Sequence, residues 1–166
     1  MEQPDSVKRA IQLHWALVLL GLVTTVLTVL LHDDLIRSWA EGRKDIRPLL
    51  ESQGLDAVKA GAVQPPAFVP VAVVLFVVVA LLIWVLVAFF RNGYNWARVS
   101  LAGLLVLVGI GTVAALRAGP PTTFVVLSFV SFVVEVAALV YLWHPHTNQY
   151  LRGTWIVHHD ESLRPS

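Results

Sequence analysis

The chain has 166 residues, of which 57% are hydrophobic and only 14% are charged, and its formal net charge is +1. Soluble domains of ordinary composition carry about 25% charged residues, so this balance predicts an integral membrane protein. A net charge this small provides no broad basic surface, and nucleic acid is therefore not an expected partner. The chain contains no cysteine, which excludes disulfides and thiolate metal sites.

Four apolar runs are long enough to cross a bilayer, which takes about 20 helical residues. They predict transmembrane helices over residues 10–31, 67–90, 99–116 and 123–143. The first run is longer than the roughly 7 to 15 apolar residues of a signal peptide and has no small-residue cleavage site, so it predicts a retained helix. The expected fold is one all-α membrane domain over residues 1–166, an up-down-up-down four-helix bundle.

The connection at 32–66 is the only long polar segment, and it has helical periodicity. Leu35, Ile36 and Trp39 fall on one face of a helix that starts with acidic residues. This pattern predicts short amphipathic helices that lie on the membrane surface or over the bundle. The alternative is a solvated helical loop that faces a partner.

The fourth run carries one carboxylate near its centre, Glu135. Ser128 and Ser131 precede it at helical spacing and share its face. A charged group at that depth costs roughly 2.5 to 3.5 kcal/mol, so the face must meet protein or water. Thr24 and Thr28 of the first helix are the expected hydrogen-bonding partners. This intramembrane polar seam serves packing, inside the chain or against another subunit, or else forms a proton or substrate path.

The histidines invite a metal or haem interpretation, which the spacing does not support. His14 is expected to extend toward the headgroups from near the end of the first helix. The pairs His144/His146 and His158/His159 could bind zinc, but no acidic or cysteine set completes either one. We therefore predict no metal site, no cofactor and no catalytic residue.

Small residues on two helices predict close helix packing. In the second predicted helix, small and large side chains alternate at every fourth position. This row is Ala72, Phe76, Ala80, Trp84 and Ala88. In the third helix, Gly111 and Ala115 form a small-xxx-small pair.

The turn after the second span contains the residues expected to contact lipid headgroups or a partner. These residues are Arg91, Tyr94, Trp96 and Arg98. Tyr and Trp favour the interface, and Arg binds phosphate. Gly93 can supply the positive φ of a tight turn, and the Asn95 amide is expected to cap the next helix, as Thr122 or Thr123 is for the fourth.

The segment 91–98, Arg-Asn-Gly-Tyr-Asn-Trp-Ala-Arg, resembles a turn of small actinobacterial four-helix integral membrane proteins. In that group an Arg-rich cytoplasmic turn precedes a third helix rich in small residues, and a segment like 145–152 often follows the last helix. The resemblance covers roughly residues 68–152 and implies four-helix topology and an actinobacterial origin. The group is mostly uncharacterised, so the resemblance implies no activity.

Basic residues predict the orientation. Lys and Arg divide evenly between the two sides, so those next to the spans decide. Lys8 and Arg9 adjoin the first helix, and the 91–98 turn has two arginines and no acid. We expect the termini and the tail 144–166 in the cytoplasm, the loop 32–66 outside, and the chain in a bacterial inner (plasma) membrane.

These features predict a non-catalytic accessory subunit of a larger bacterial membrane complex, such as a respiratory or lipid-transport assembly. Few ionisable groups, short turns and packing seams on more than one helix favour this interpretation. A small oligomeric transporter or channel that uses the intramembrane Glu135 is one alternative. An intramembrane lipid-modifying enzyme is another, and no acid/base pair supports it.

Overall fold

The computed structural model describes residues 3–61 and 63–153, which form helices and no strands. The helices are α1 (Asp5–Leu30), α2 (His32–Glu41), α3 (Arg47–Ala60), α4 (Phe68–Arg91), α5 (Asn95–Leu116), α6 (Thr122–Leu142) and α7 (Pro145–Leu151). Four of them, α1, α4, α5 and α6, are long and apolar enough to cross a membrane. The all-α fold class and the four long apolar helices are therefore confirmed.

Two of the long helices start earlier than their apolar runs. α1 begins at Asp5, where residue 10 was predicted, and α5 begins at Asn95, where residue 99 was predicted. Hydropathy marks the segment that fits the hydrocarbon core, whereas a helix continues into the polar zone wherever its backbone hydrogen bonds continue. The polar first turns of α1 and α5 extend these helices beyond their apolar runs.

The four long helices surround one shared core. α1 packs against α4 and α6, and α5 packs against the same two helices. The core is best closed at the end that holds the N-terminus, the α4–α5 turn and α7. Its most buried side chains there are Val7, Ala10, Phe90, Ala97, Leu101 and Leu142. The outer faces of all four helices expose Leu, Val and Phe, as expected for surfaces in contact with lipid.

The inner face of α4 differs from the row predicted at every fourth position. Phe76 is half-buried against Gly21, but Trp84 is 59% exposed and Ala88 is exposed as well. Ile83 and Val87 are buried in their place. A helix has 3.6 residues per turn, so a step of four residues drifts by about 40°. After two or three steps the row has left the core, and a mixed spacing of three and four replaces it.

Side chain to backbone hydrogen bonds link the connections at each end of the bundle. At one end, Gln3 Nε2 and the Tyr150 hydroxyl both donate to the Arg91 carbonyl, at 3.2 and 2.7 Å. At the other, the Ser38 hydroxyl of α2 donates to the Gly119 carbonyl in the α5–α6 turn. These links hold the N-terminal segment, the α4–α5 turn and α7 together, and separately join α2 to the α5–α6 turn.

The structure confirms the predicted turn at Gly93, but the predicted helix caps are wrong. Gly93 has φ 85°, which confirms the expected tight turn. No side chain caps α5, where Tyr94 occupies the N-cap position and Asn95 is already helical. Likewise Thr122 is the first helical residue of α6, after Pro121, and no side chain caps this helix. In both helices the polar residue occupies the first helical position and not the N-cap position before it. Its side chain therefore does not accept a hydrogen bond from the free N–H groups of the first turn.

Two phenylalanines test where the core lies. Phe90 is 0% exposed and Phe129 is 70% exposed, facing outward from α6. Phe90→Ala should lower the free energy of unfolding by about 3 to 5 kcal/mol because it leaves a cavity. Phe129→Ala should change it by less than about 1 kcal/mol. Reversible unfolding in mixed micelles measures both variants, and equal losses would contradict this core.

Candidate functional site

Glu135 lies inside the bundle on the inward face of α6. It is 4% exposed, although it sits in a helix whose outer face is apolar. Ser128 and Ser131 lie on the same side and are half-buried, and Ala138 is fully buried one turn further on. The helix therefore turns its carboxylate toward protein, as the cost of exposing it to lipid requires.

The group that faces Glu135 is the backbone of α5. A Cβ built on Gly109 would lie 3.1 Å from Glu135 Oε2. Real Cβ atoms rarely approach a neighbour this closely, so the absence of a side chain at Gly109 leaves room for the carboxyl group. Glycine at this position allows α5 and the polar group of α6 to approach closely. The sequence analysis assigned no role to Gly109. The available signal was that one more glycine lies in a helix already rich in small residues, where a glycine permits close approach of a neighbouring helix.

The threonines predicted to bond Glu135 make other hydrogen bonds. Thr24 Oγ1 donates to the Leu20 carbonyl at 2.9 Å, and Thr28 Oγ1 donates to the Thr24 carbonyl at 2.9 Å. Each hydroxyl has one proton, and each uses it one turn back along α1, a common arrangement for Thr in apolar helices. In the described part of the chain no hydrogen bond joins Glu135 to either threonine, so the predicted contact is wrong.

His14 is buried, whereas the sequence predicted that it would extend toward the headgroups. Its side chain is 1% exposed. Nδ1 lies 2.7 Å from the Ala10 carbonyl and donates to it, since a carbonyl can only accept. Nε2 is buried and has no hydrogen-bond partner among the described residues. The prediction considered only the distance to the helix end. However, the buried face of α1 runs through Ser6, Val7, Ala10 and His14 and turns the imidazole inward.

The interior of the bundle thus contains two buried ionisable side chains, His14 on α1 and Glu135 on α6. Within residues 3–61 and 63–153, no group of three or more His, Asp or Glu could hold a metal ion. His158 and His159 lie outside the described residues. His144 instead caps α7, where its Nδ1 accepts from the His146 N–H at 3.3 Å. The chemistry that this interior can support is proton binding or polar packing.

The predicted headgroup residues all lie at the end of the bundle that holds Gln3 and Gly153, which we call the terminal end. Tyr94 and Trp96 are each 50% exposed and pack against Phe89, with ring centroids 5.7 and 5.0 Å apart. The Arg91 side chain is exposed, while Arg98 folds back toward α7. This gives the bundle end an aromatic and basic rim, as is typical of side chains at headgroup depth.

The sequence analysis missed a group of hydrogen bonds that joins the first turns of α1 to the end of α6 and to α7. The Thr147 hydroxyl is 0% exposed, lies 2.9 Å from the Ser6 hydroxyl and donates to the Tyr141 carbonyl at 3.0 Å. Nearby, Arg9 donates to the Tyr141 hydroxyl at 3.1 Å. No local pattern reveals contacts between residues at opposite ends of a chain. The one available signal was Pro145, which starts a helix as readily as it stops one.

The loop helices build a second, smaller core. Ile36 and Ala40 of α2 are buried with Ile46 and Val58, and Trp39 packs against this cluster. Leu35 is buried as well. The apolar face predicted from Leu35, Ile36 and Trp39 therefore packs on this chain's own residues. The helix α3 breaks at Gly54, whose φ of 81° and ψ of −176° are not helical.

An open cleft of about 460 Å³ lies between α2 and α3. Arg37 and Arg47 line it together with Glu41 and Glu51, so its charges are balanced. Arg47 is already engaged, since Nε donates to the Glu41 carbonyl at 2.8 Å. With two positive and two negative side chains, the cleft does not favour a ligand of either charge.

Comparison with known proteins gives no match, whether to a family model, to a curated protein or to a solved structure. The resemblance of residues 91–98 to small actinobacterial membrane proteins accordingly stays a prediction. The fold and the contacts described above are what bear on function.

One ion pair holds the loop helices together and makes them sensitive to acid. Lys59 Nζ lies 2.7 Å from Asp33 Oδ1, and this hydrogen bond holds the pKa of Asp33 below its ordinary value of 3.8. The pair therefore stabilises α2 against α3 above about pH 3.8 and ceases to do so as pH falls through the lowered pKa. Amide exchange over residues 32–60 should speed up modestly on acidification, after correction for intrinsic rates.

Lys59→Gln should remove this acid response, and Lys44→Gln, which changes the same charge nearby, should retain it. An identical pH profile for wild type and Lys59→Gln would contradict the role of the pair. Because both side chains are exposed, 0.5 M salt should weaken the effect.

Proposed function

We propose that the chain is a non-catalytic accessory subunit of a larger membrane assembly and that it docks through the outer face of α5. The observation that carries this proposal is a face of small residues that nothing in the described residues covers. A Cβ at Gly103 or at Gly111 would meet no atom within 4 Å. Gly109, between them, is covered by Glu135.

The uncovered residues lie together. Ser100, Gly103, Gly111 and Ala114 are all exposed and fall within about 80° around the axis of α5, at 100° per residue. Small residues let two helix backbones approach closely, and in lipid, where no hydrophobic effect drives helices together, such packing is what joins them. The exposed Leu107 in the middle of this face supplies a large side chain for a partner's groove.

The polar seam is a weaker candidate for the docking surface. Glu135 is 4% exposed within this chain alone, so it needs no second subunit to leave the lipid. We infer that its role is to fix α6 against α5, which leaves the opposite side of α5 for a partner. The proposed partner is a membrane assembly, for example a respiratory or lipid-transport complex, in the inner membrane of an actinobacterium, the origin that the resemblance of residues 91–98 implies.

We further propose an up-down-up-down topology with both termini in the cytoplasm. The links of Gln3 and Tyr150 to Arg91 support one end, and the link of Ser38 to Gly119 supports the other. The orientation rests on the basic residues beside the spans: Lys8 and Arg9 in the first turns of α1, and Arg91 and Arg98 around the short α4–α5 turn. Lys and Arg next to the spans are typical of the cytoplasmic side.

The docking proposal predicts a specific loss on enlarging one glycine. Gly111→Leu should reduce the amount of assembled complex about tenfold, because Leu holds a partner helix away, and should leave the stability of the isolated chain unchanged. Extraction in mild detergent followed by native gel electrophoresis measures the complex. Val113→Leu, on a lipid-facing position of the same helix, is the matched control.

Gly109→Leu serves as the opposite control, since it should destabilise the isolated bundle by pushing against Glu135. Wild-type protein that migrates only as a lone chain of 18.3 kDa would refute the docking proposal. So would a Gly111→Leu variant that assembles as well as wild type.

A second candidate function is proton-linked transport or conduction by an oligomer of this chain. The buried positions of His14 and Glu135 support it. The Arg9–Tyr141 hydrogen bond sets the register of α1 beside α6, and with these helices antiparallel each buried group lies about one and a half turns inward from that bond. Ionisable Glu and His side chains that face the interior of a membrane bundle are typical of proton relays.

This candidate predicts that Glu135→Gln abolishes proton flux in proteoliposomes, because an amide can neither bind nor release a proton at neutral pH. Glu51→Gln, an exposed position of α3, should leave the flux unchanged. Flux that is independent of pH and equal in wild type and Glu135→Gln would eliminate the candidate.

A further inference from the structure

At the junction of α5 and α7, one arginine is held rigidly by its neighbours. Arg98 Nη1 donates to Asn148 Oδ1, and the Asn148 amide is oriented in turn because Nδ2 donates to the Trp143 carbonyl at 3.3 Å. The guanidinium lies over the Trp143 ring, 5.3 Å from its centroid. These three contacts fix the position of a cation whose side chain would otherwise move freely.

The fixed arginine has unused hydrogen-bonding capacity. A guanidinium carries five N–H donors, and the only hydrogen bond of Arg98 within the described residues takes one of them. Its Nε is buried and has no partner among the described residues. Because Nε is covered and the side chain as a whole is half-buried, the remaining N–H groups of Nη1 and Nη2 are the donors that an acceptor from outside residues 3–61 and 63–153 can reach. Leaving the donors of a fixed cation unpaired is costly.

A second positive charge increases the demand for an anion. Arg152 lies one helical turn after Asn148, since its N–H donates to the Asn148 carbonyl at 3.1 Å, and this places it on the face of α7 that contacts Arg98. None of the ion pairs in the described residues involves either arginine. The first turn of α5 adds positive potential, because no side chain caps its free N–H groups. Three sources of positive potential thus meet at one point.

The geometry points to a binding site for the phosphate of an anionic phospholipid between Arg98 and Arg152. Phosphate oxygens accept paired hydrogen bonds from guanidinium groups, and the headgroup is the anion present at this depth. The exposed ring of Trp143 at the site, and those of Tyr94 and Trp96 at the same end of the bundle, are typical of side chains at the interface. The site does not depend on the docking proposal, since it lies at the bundle end and not on the outer face of α5.

The test is native mass spectrometry of the full chain, titrated with phosphatidylglycerol or phosphatidylcholine. Wild type should bind the anionic lipid preferentially. Arg98→Gln and Arg152→Gln should each lower that preference about fivefold, the effect of one basic residue near an anionic surface. Arg117→Gln, which removes an arginine at the opposite end of α5, should leave the preference unchanged.

Arg98→Gln also removes the contact to Asn148, so circular dichroism and thermal unfolding must show an intact fold. Arg152 is exposed, so Arg152→Gln should leave the fold intact. This variant therefore tests the site even if Arg98→Gln unfolds. An equal loss in Arg117→Gln, or an unchanged preference in the Arg98→Gln/Arg152→Gln double variant, would overturn the site. Binding of inorganic phosphate in phosphatidylcholine nanodiscs, without any preference for the anionic lipid, would overturn its assignment to a lipid.

Discussion

A carboxylate in the middle of an apolar helix constrains how the rest of the bundle can pack. Glu135 must face protein, and it does so because α5 presents the bare backbone of Gly109, where a Cβ would lie only 3.1 Å from Oε2. We infer that this contact sets the rotation of α6 and its distance from α5. With α6 oriented in this way, Ala138 and Leu142 enter the core and Phe129 faces outward.

The rotation of α5 follows from the same contact and decides which of its glycines are free. Gly109 is covered, so Gly103 and Gly111 point away from the bundle. Packing inside the chain and the proposed docking on a partner thus use different sides of one helix rich in small residues. The two ends of the bundle differ from each other. The terminal end is basic and aromatic, whereas at the opposite end α2 and α3 form a small core of their own.

The four long helices were predictable because hydropathy is a local property of twenty neighbouring residues. The burial of Glu135 was predictable from its cost in lipid. Its partner was not, because the helix that faces it depends on the rotations of all four helices together. His14 was misplaced for the same reason, since depth along a helix does not reveal which way a side chain points. The α4 row failed because a step of four residues drifts around the axis.

The packing of α1 has a consequence for the order in which the protein can form. α1 contacts α6 more extensively than any other helix, yet α6 is the last of the four to leave the ribosome. Translation at roughly 5 to 20 residues per second separates the two by on the order of ten seconds. During that interval α1 lacks the helix that it contacts most, so insertion must proceed with the imidazole of His14, buried in the finished bundle, before the bundle is complete.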